Sequence, residues 1–182
     1  MNALFISEDN IKKDSAFNAN IDGNLIKDLI YDAQRMYILP LLGTKLYKEI
    51  ETQINSNTVS VANATLLDDY ICDALRMYVR ADAYIDLNYR LTNKSVNTNS
   101  SLFSQPIDFD TAKNLSERFM NKAEFFGEQL RKFLCFNTAS YPLYLTNINE
   151  DIHPARTAYD SGIYLGGTCD YDCDNAPDPN NL

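Results

Sequence analysis

Apolar residues recur at intervals of three and four along most of the chain, which is the spacing of one face of an α-helix. In the second such segment the apolar positions include Leu25, Leu29 and Met36, while charged residues occupy the opposite side. The periodicity predicts an all-α fold with four main helices plus a short N-terminal helix, a long inter-helix loop and an extended C-terminal arm. The predicted helices cover residues 8–15, 24–39, 44–54, 64–91 and 110–137.

The segment ILPLLG, residues 38–43, interrupts this pattern at its most apolar point. Pro40 has no backbone N–H and its ring crowds the preceding turn, so it should stop or bend the helix. Gly43 permits the backbone conformation of a tight reversal, and Thr44 is a suitable cap for the next helix. Because a surface turn would be polar, we predict a buried elbow.

The helices predicted at 64–91 and 110–137 are apolar on more than one stripe. Met77, Tyr84, Phe125 and Phe136 widen their inner faces. A helix that is apolar well beyond one face is buried on more than one side. In a chain of 182 residues this indicates a neighbouring subunit.

Two segments do not follow the helical pattern. Residues 92–108 are polar and long for a loop, and their apolar residues Leu102, Phe103 and Ile107 could anchor the loop on its own domain or on a partner. Residues 140–145, SYPLYL, should be extended, because Pro142 biases Tyr141 away from helical conformation. We expect a helical domain at 1–145 and an extended acidic arm at 146–182, which orders on assembly and which protease removes near residue 146.

Charge is concentrated in the C-terminal part. Residues 147–182 have seven acidic residues and one basic residue, a net charge of −6, whereas the other 146 residues have 18 acidic and 15 basic residues, a net charge of −3. This distribution lacks the basic footprint of a nucleic-acid-binding protein. The chain has neither an apolar run long enough to cross a membrane nor the pattern of a signal peptide at its N-terminus.

Candidate chemistry is sparse. Asp82 and Asp86 share a helical face, and Asp86 can pair with Arg90, so a solvated face with ion pairs is the favoured interpretation over an acid–base pair. His153 has no visible nucleophile beside it.

The cysteines and the acidic tail give no clear metal site. Cys72 and Cys135 lie in apolar helical surroundings and should act as small hydrophobes. Cys169 and Cys173 lack further ligands for zinc. The run Asp170, Asp172, Asp174 lacks the Gly and Glu of a calcium loop; whether these tail residues bind a metal stays open. No catalytic residue, metal or cofactor is predicted.

The segment LIKDLIYDAQRMYILPLLGTKLYKEI leads into a long Tyr-rich helix, a polar loop, a second long helix and YPLYL. This arrangement resembles the head–tail connector (adaptor) proteins of tailed bacteriophages, in particular the ring proteins of crAss-like phages. The resemblance covers about residues 4–145, and its most specific part is the elbow DAQ…YILPLLG…LY. The acidic tail departs from the family pattern.

The resemblance implies a non-enzymatic virion protein at the head–tail junction, made in the host cytoplasm. Such proteins form a homo-oligomeric ring, commonly a dodecamer, beneath the portal protein; they extend the DNA channel without binding DNA specifically, contact no membrane, and dock the next ring or tail protein. The alternative is a small helical adaptor or regulatory protein that binds a single protein partner. The loop and arm positions that match partner-contacting elements are Leu102, Phe103, Ile107, Tyr141, Leu143, Tyr144 and Leu145.

Overall fold

The computed structural model describes residues 3–12, 23–86, 89–91, 96–98, 108–148 and 150–155, with the backbone alone at 89–91 and 96–98. Over these residues the all-α prediction is confirmed, with one short two-stranded hairpin added. The helices are α1 (Glu8–Lys12), α2 (Gly23–Ala33), α3 (Leu39–Asn55), α4 (Val61–Leu66), α5 (Cys72–Asp86) and α6 (Phe109–Phe136). Two π-helical turns, Gln34–Ile38 and Leu67–Ile71, connect α2 to α3 and α4 to α5, and a 3₁₀ turn covers Pro142–Tyr144.

The N-terminal ends of α1 and α4 are set by serine caps. Ser7 caps α1, since its hydroxyl accepts from the backbone N–H of Asn10 at 3.3 Å. Ser60 caps α4 by accepting from the N–H of Asn63 at 3.2 Å, so this helix begins three residues before the predicted position.

The prediction that the α5 helix continues to residue 91 was wrong. Helix α5 ends at Asp86, and strand β1 (Tyr89–Leu91) pairs antiparallel with strand β2 (Val96–Thr98). The backbone groups of residues 89–91 therefore find partners in a second strand rather than in a helical turn. The predicted polar loop contains β2, and the apolar positions Leu102, Phe103 and Ile107 lie outside the described residues.

The buried elbow is confirmed, but the reversal occurs at Gly43 and not at Pro40. The helix continues through Pro40, and the preceding π turn has Leu39 donating to the carbonyl of Gln34, five residues back. This wider turn relieves the crowding that a proline ring causes in an α-helix. Gly43 has φ 75° and ψ 161°, and it is buried together with Leu42.

The core forms where α5 and α6 pack antiparallel and α2 and α3 cover them. Aromatic contacts run along the α5–α6 pair: Tyr70 stacks on Phe133 at 4.1 Å between ring centroids, and Tyr84 stacks on Phe119 at 5.4 Å. Gly127 lets α6 pack tightly on its neighbours, because a Cβ at this position would lie 3.2 Å from both Leu41 Cδ1 and the Tyr78 hydroxyl. Fully buried large side chains include Ile26, Ile30, Ile38, Leu42, Leu46, Ile50, Leu66, Ile71, Leu75 and Leu130.

Among the described helices, none combines the length and the apolar character that a bilayer span requires.

Candidate docking surfaces and the elbow clasp

Gln34 is a fully buried polar residue at the start of the first π turn. Its side-chain carbonyl accepts from the backbone N–H of Phe5 at 2.7 Å, and its amide group donates to the carbonyl of Ala3 at 3.1 Å. The same amide lies 3.4 Å from the hydroxyl of Tyr47, beyond the elbow. A buried amide with both ends paired fixes the geometry of the groups around it. Gln34 of the DAQ part thus connects the N-terminal segment to Tyr47 of the LY part.

The chain after α6 returns to the elbow and binds it through backbone and side-chain groups. We call residues 146–148 and 150–155 the elbow clasp. The N–H of Thr44 donates to the carbonyl of Ile152 at 3.0 Å, and the Thr44 hydroxyl accepts from the N–H of Ile152 at 2.8 Å. The carbonyl of Pro40 accepts from the N–H of Ala155 at 2.8 Å. Thr44, expected to cap its own helix, instead uses its hydroxyl to hold the clasp.

Two further contacts complete the clasp. The side-chain oxygen of Asn147 accepts from the N–H of Lys45 at 3.2 Å, and the Lys45 ammonium lies 3.7 Å from Asp151. Pro154 is buried against the elbow. Residues of this segment as far as Ala155 therefore pack on the helical domain, and the boundary predicted at 145/146 stays a prediction. This docking could not be predicted from the sequence, because the segment is polar and acidic. The Gly43 reversal and the backbone hydrogen bonds that hold the segment do not depend on an apolar pattern.

The arm residues predicted to contact a partner divide into two groups. Tyr141 and Tyr144 are buried within the chain's own core, and the Tyr141 hydroxyl donates to the carbonyl of Ala62 at 2.7 Å. Leu143 is half-buried and packs on the same core. Leu145 is 42% exposed and is the one of these four whose side chain is largely available to a neighbour. Docking by this residue stays a prediction.

A more extensive apolar surface lies on α6, where the sequence predicted an over-wide stripe. Phe125 is 60% exposed and Phe136 is 65% exposed. They are eleven residues apart, three turns of helix, and so occupy the same face. A groove of about 470 Å³ opens beside Phe125, and its lining is almost entirely apolar. The residues that line this groove are Met77, Asn121, Lys122, Phe125 and Phe126.

Lys122 lines the groove, whereas Arg80 is buried and is not among the lining residues. The Lys122 ammonium lies 5.0 Å from the ring centroid of Phe119, and the Arg80 guanidinium lies 5.9 Å from the same ring. These are cation–π distances. The groove therefore combines exposed aromatic area with positive charge at its rim.

Carboxylates collect away from the groove, where Asp82 and Asp86 of α5 approach Asp32 of α2. We call these three residues the acidic edge. Burial raises the pKa of Asp82 to about 6 although the Tyr37 hydroxyl donates to it at 3.3 Å, and the charge of Asp86 adds to the rise. Burial and the charge of Asp32 raise the pKa of Asp86. The expected solvated face is thus half-buried at Asp82. The Arg90 side chain, the predicted partner of Asp86, lies outside the described residues.

Metal-binding and nucleophilic chemistry find little support in the described part of the chain. Over those residues no group of three or more His, Cys, Asp or Glu side chains is placed to hold a metal ion. Cys72 is a buried free thiol whose pKa burial raises to about 11, and its sulfur lies 3.7 Å from the carbonyl of Phe5. Cys135 is disulfide-bonded, so the prediction that it acts as a free small hydrophobe was wrong. His153 is exposed on the clasp, and the tail residues Cys169 to Asp174 lie outside the described residues.

Over the described residues the fold is all-α, and an apolar groove opens on α6. The chain belongs to DUF6712, a family of unknown function, whose model matches residues 38–153. The match begins at the elbow and ends within the clasp, so the two segments that bind each other lie inside one family unit. No curated protein and no solved structure matches the chain.

Proposed function

We propose that this protein is a structural virion component, a subunit of a ring at the head–tail junction of a tailed bacteriophage. The ring sits beneath the portal protein, extends the DNA channel and docks the next ring or tail component. The sequence resemblance of the elbow motif suggests this class. The observation that carries the proposal is the presence of large exposed apolar side chains on separate faces of one small chain.

A closed ring needs two different surfaces on each subunit, which meet head to tail. The exposed face of α6 around Phe125 and Phe136 provides one apolar surface. Met36, 61% exposed on the first π turn, provides apolar area on a different element. Exposed apolar area that is extensive and bordered by polar groups is typical of protein–protein contacts.

A third apolar surface is formed by the clasp together with Leu145, which directly precedes it. Leu145, Ile148 and Ile152 are exposed there, next to backbone that is fixed on the elbow. In a ring whose lateral contacts use α6 and the π turn, this surface remains for an axial neighbour such as the portal or the next ring. The partner-binding position predicted at Leu145 belongs to it.

The charge of the chain suits a DNA channel. Phosphate binding depends on Lys and Arg, and each neutralised phosphate adds salt-dependent affinity. The net charge of −9 and the pairing of Lys45 with Asp151 leave little basis for a strong DNA grip. A channel wall with this property lets DNA pass.

The test is assembly on the portal. Mass photometry and negative-stain images should be recorded for the purified chain alone and with the portal protein encoded in the same genome. Closed rings, or arcs of several copies on the portal, are expected. A chain that remains a monomer at high concentration and does not bind the portal contradicts the proposal and favours an adaptor that binds a different protein.

A further inference from the structure

We propose that the α6 groove of one copy receives Met36 of the next copy, while the acidic edge around Met36 faces the cationic rim of that groove. This pairing deepens the proposed function and rests on it, since it specifies the lateral contact of the ring. The occupant is a second copy of this chain.

The groove has the chemistry of a pocket for an unbranched apolar side chain. Met77, Phe125 and Phe126 supply its apolar walls, and Asn121 and Lys122 stand at its border. Methionine suits such a site because its thioether is flexible and makes favourable contacts with aromatic rings. Met36 is the most exposed of the chain's described methionines, since Met77 and Met120 are partly buried.

Carboxylates lie on the same edge of the molecule as Met36. Asp32 lies one turn earlier and is exposed, and the neighbouring residue Tyr37 is bonded to Asp82. Arg35, on the other side, is engaged by the hydroxyl of Tyr31 at 3.0 Å. A methionine beside carboxylates is complementary to an aromatic groove with Lys122 at its rim. Such complementarity sets register and partner choice across an interface.

The two surfaces lie on opposite edges of the α5–α6 pair. Asp86 and Met77 are nine residues apart on α5, which at 3.6 residues per turn places them about 180° apart. Glu124 of α6 lies on the acidic side, since its charge raises the pKa of Tyr78, whose ring stacks on Tyr37. Lys122 lies on the other side of α6, over Phe119. A two-fold dimer brings the same patch of both copies together, so it does not join two surfaces on opposite edges. A head-to-tail ring joins them directly.

A charge exchange tests the contact. We would prepare Lys122→Glu, Asp32→Lys and the double variant, and measure assembly by sedimentation velocity over a concentration series, alone and with portal protein. Each single variant should raise the concentration at half-assembly about tenfold or more, because a like charge then meets each remaining partner. The double variant should recover assembly close to that of the unmodified chain.

The controls show whether a loss of assembly is specific to this contact or follows from any similar substitution on the surface. Lys48→Glu makes the same charge change on the exposed face of α3 and should assemble normally. Met36→Ser and Phe125→Ser should each weaken assembly, whereas Val61→Ser, at an exposed site on α4, should not. Circular dichroism and unfolding midpoints must match across the set.

The possible failures are distinguishable. Single variants that assemble like the unmodified chain, or a double variant no better than the singles, overturn the pairing and leave portal binding intact. A chain that associates through this groove but never binds portal overturns the ring function and leaves the pairing in place. Absence of any association, alone or with portal, overturns both.

Discussion

Gly43 lies so close to Pro154 that a Cβ at position 43 would be 2.8 Å from the Pro154 Cδ. The same Cβ would be 3.0 Å from the amide nitrogen of Asn147 and 3.2 Å from the carbonyl oxygen of Ile152. A segment more than one hundred residues later in the chain therefore packs directly against the elbow between α2 and the main part of α3. Residues remote in sequence thus fix the angle between the two halves of the helical domain.

The first prediction concerns Gly43→Ala. A φ of 75° with a ψ of 161° is available to glycine but strained for any residue with a side chain, and the added methyl also meets the clasp. We expect a loss of about 2 kcal/mol in the free energy of unfolding, which lowers the melting temperature by roughly 4–8 °C. Urea unfolding and calorimetry measure both.

Gly127→Ala is the matched control. Its Cβ would meet only the ends of the Leu41 and Tyr78 side chains, at 3.2 Å, and its backbone is helical. A helical Gly→Ala change gains up to about 1 kcal/mol in propensity, which offsets the crowding. Equal losses in the two variants would show that the elbow is not specially constrained.

The second prediction concerns Gln34→Ala. This change leaves the Phe5 N–H and the Ala3 carbonyl without their partner in a buried region. A buried group left unpaired costs about 1–3 kcal/mol. The amide proton of Phe5 should also lose protection against hydrogen exchange. Gln129→Ala, on the exposed face of α6, should change neither quantity, and continued protection of Phe5 in the Gln34 variant would contradict the account.

The third prediction concerns the clasp. A chain that ends at Leu145 loses the bonds of Ile152 and Ala155 to Thr44 and Pro40, and should be less stable than a chain that ends at Ala155 by roughly 2–4 kcal/mol. In the intact protein, peptide bonds at 150–155 should resist limited proteolysis, in contrast to the cleavage near 146 expected from sequence. Rapid cutting inside the clasp, or equal stability of the two chains, would contradict this.

The helices could be predicted well from local sequence, because the spacing of apolar residues that marks a helix is visible without knowledge of what packs on it. The elbow was predicted from Pro40 and Gly43, but its exact place was not, since the π turn that accommodates Pro40 has no sequence signature. Docking of residues 150–155 depends in part on backbone groups of Pro40 and Thr44, which have no side-chain signature in the sequence. The sequence predicts partner contacts at Tyr141 and Tyr144, whereas the chain's own core buries both, because an isolated apolar segment does not show which surface covers it.

The fourth prediction concerns pH. The pKa of Asp82 is about 6 in the folded chain and 3.8 as a free side chain, so folding favours its protonated form. Its contribution to stability is therefore fully present below about pH 4 and is lost as the pH rises through 6. Asp82→Asn, which can still accept from Tyr37, should be the more stable form at pH 7 by on the order of 1 kcal/mol, the value being limited by solvent screening of a half-exposed group.

The measurement is the difference in unfolding free energy between Asp82→Asn and the unmodified chain at several pH values. This difference should grow between pH 4 and pH 7. Asp28→Asn, on an exposed part of α2, serves as the control and should give a difference that changes little over the same range. A flat difference for Asp82→Asn would show that the carboxylate is solvated, as the sequence alone favoured.

Candidate surfaces were only partly predictable. The sequence predicts that Phe125 and Phe136 widen the inner stripe of α6, and the structure leaves them 60% and 65% exposed. That a neighbouring copy covers them stays a prediction. The groove beside Phe125 depends on Met77 of a different helix, and the acidic edge depends on contact between α5 and the π turn. Such juxtapositions follow from helix packing, which the one-dimensional pattern leaves open.

The most direct test of the central claim is an averaged cryo-electron-microscopy reconstruction of the head–tail junction of the intact particle whose genome encodes this chain. We expect a ring of identical helical subunits directly beneath the portal, with the α6 groove at each lateral contact and the clasp facing an axial neighbour. A junction reconstructed without this chain in any ring would contradict the account.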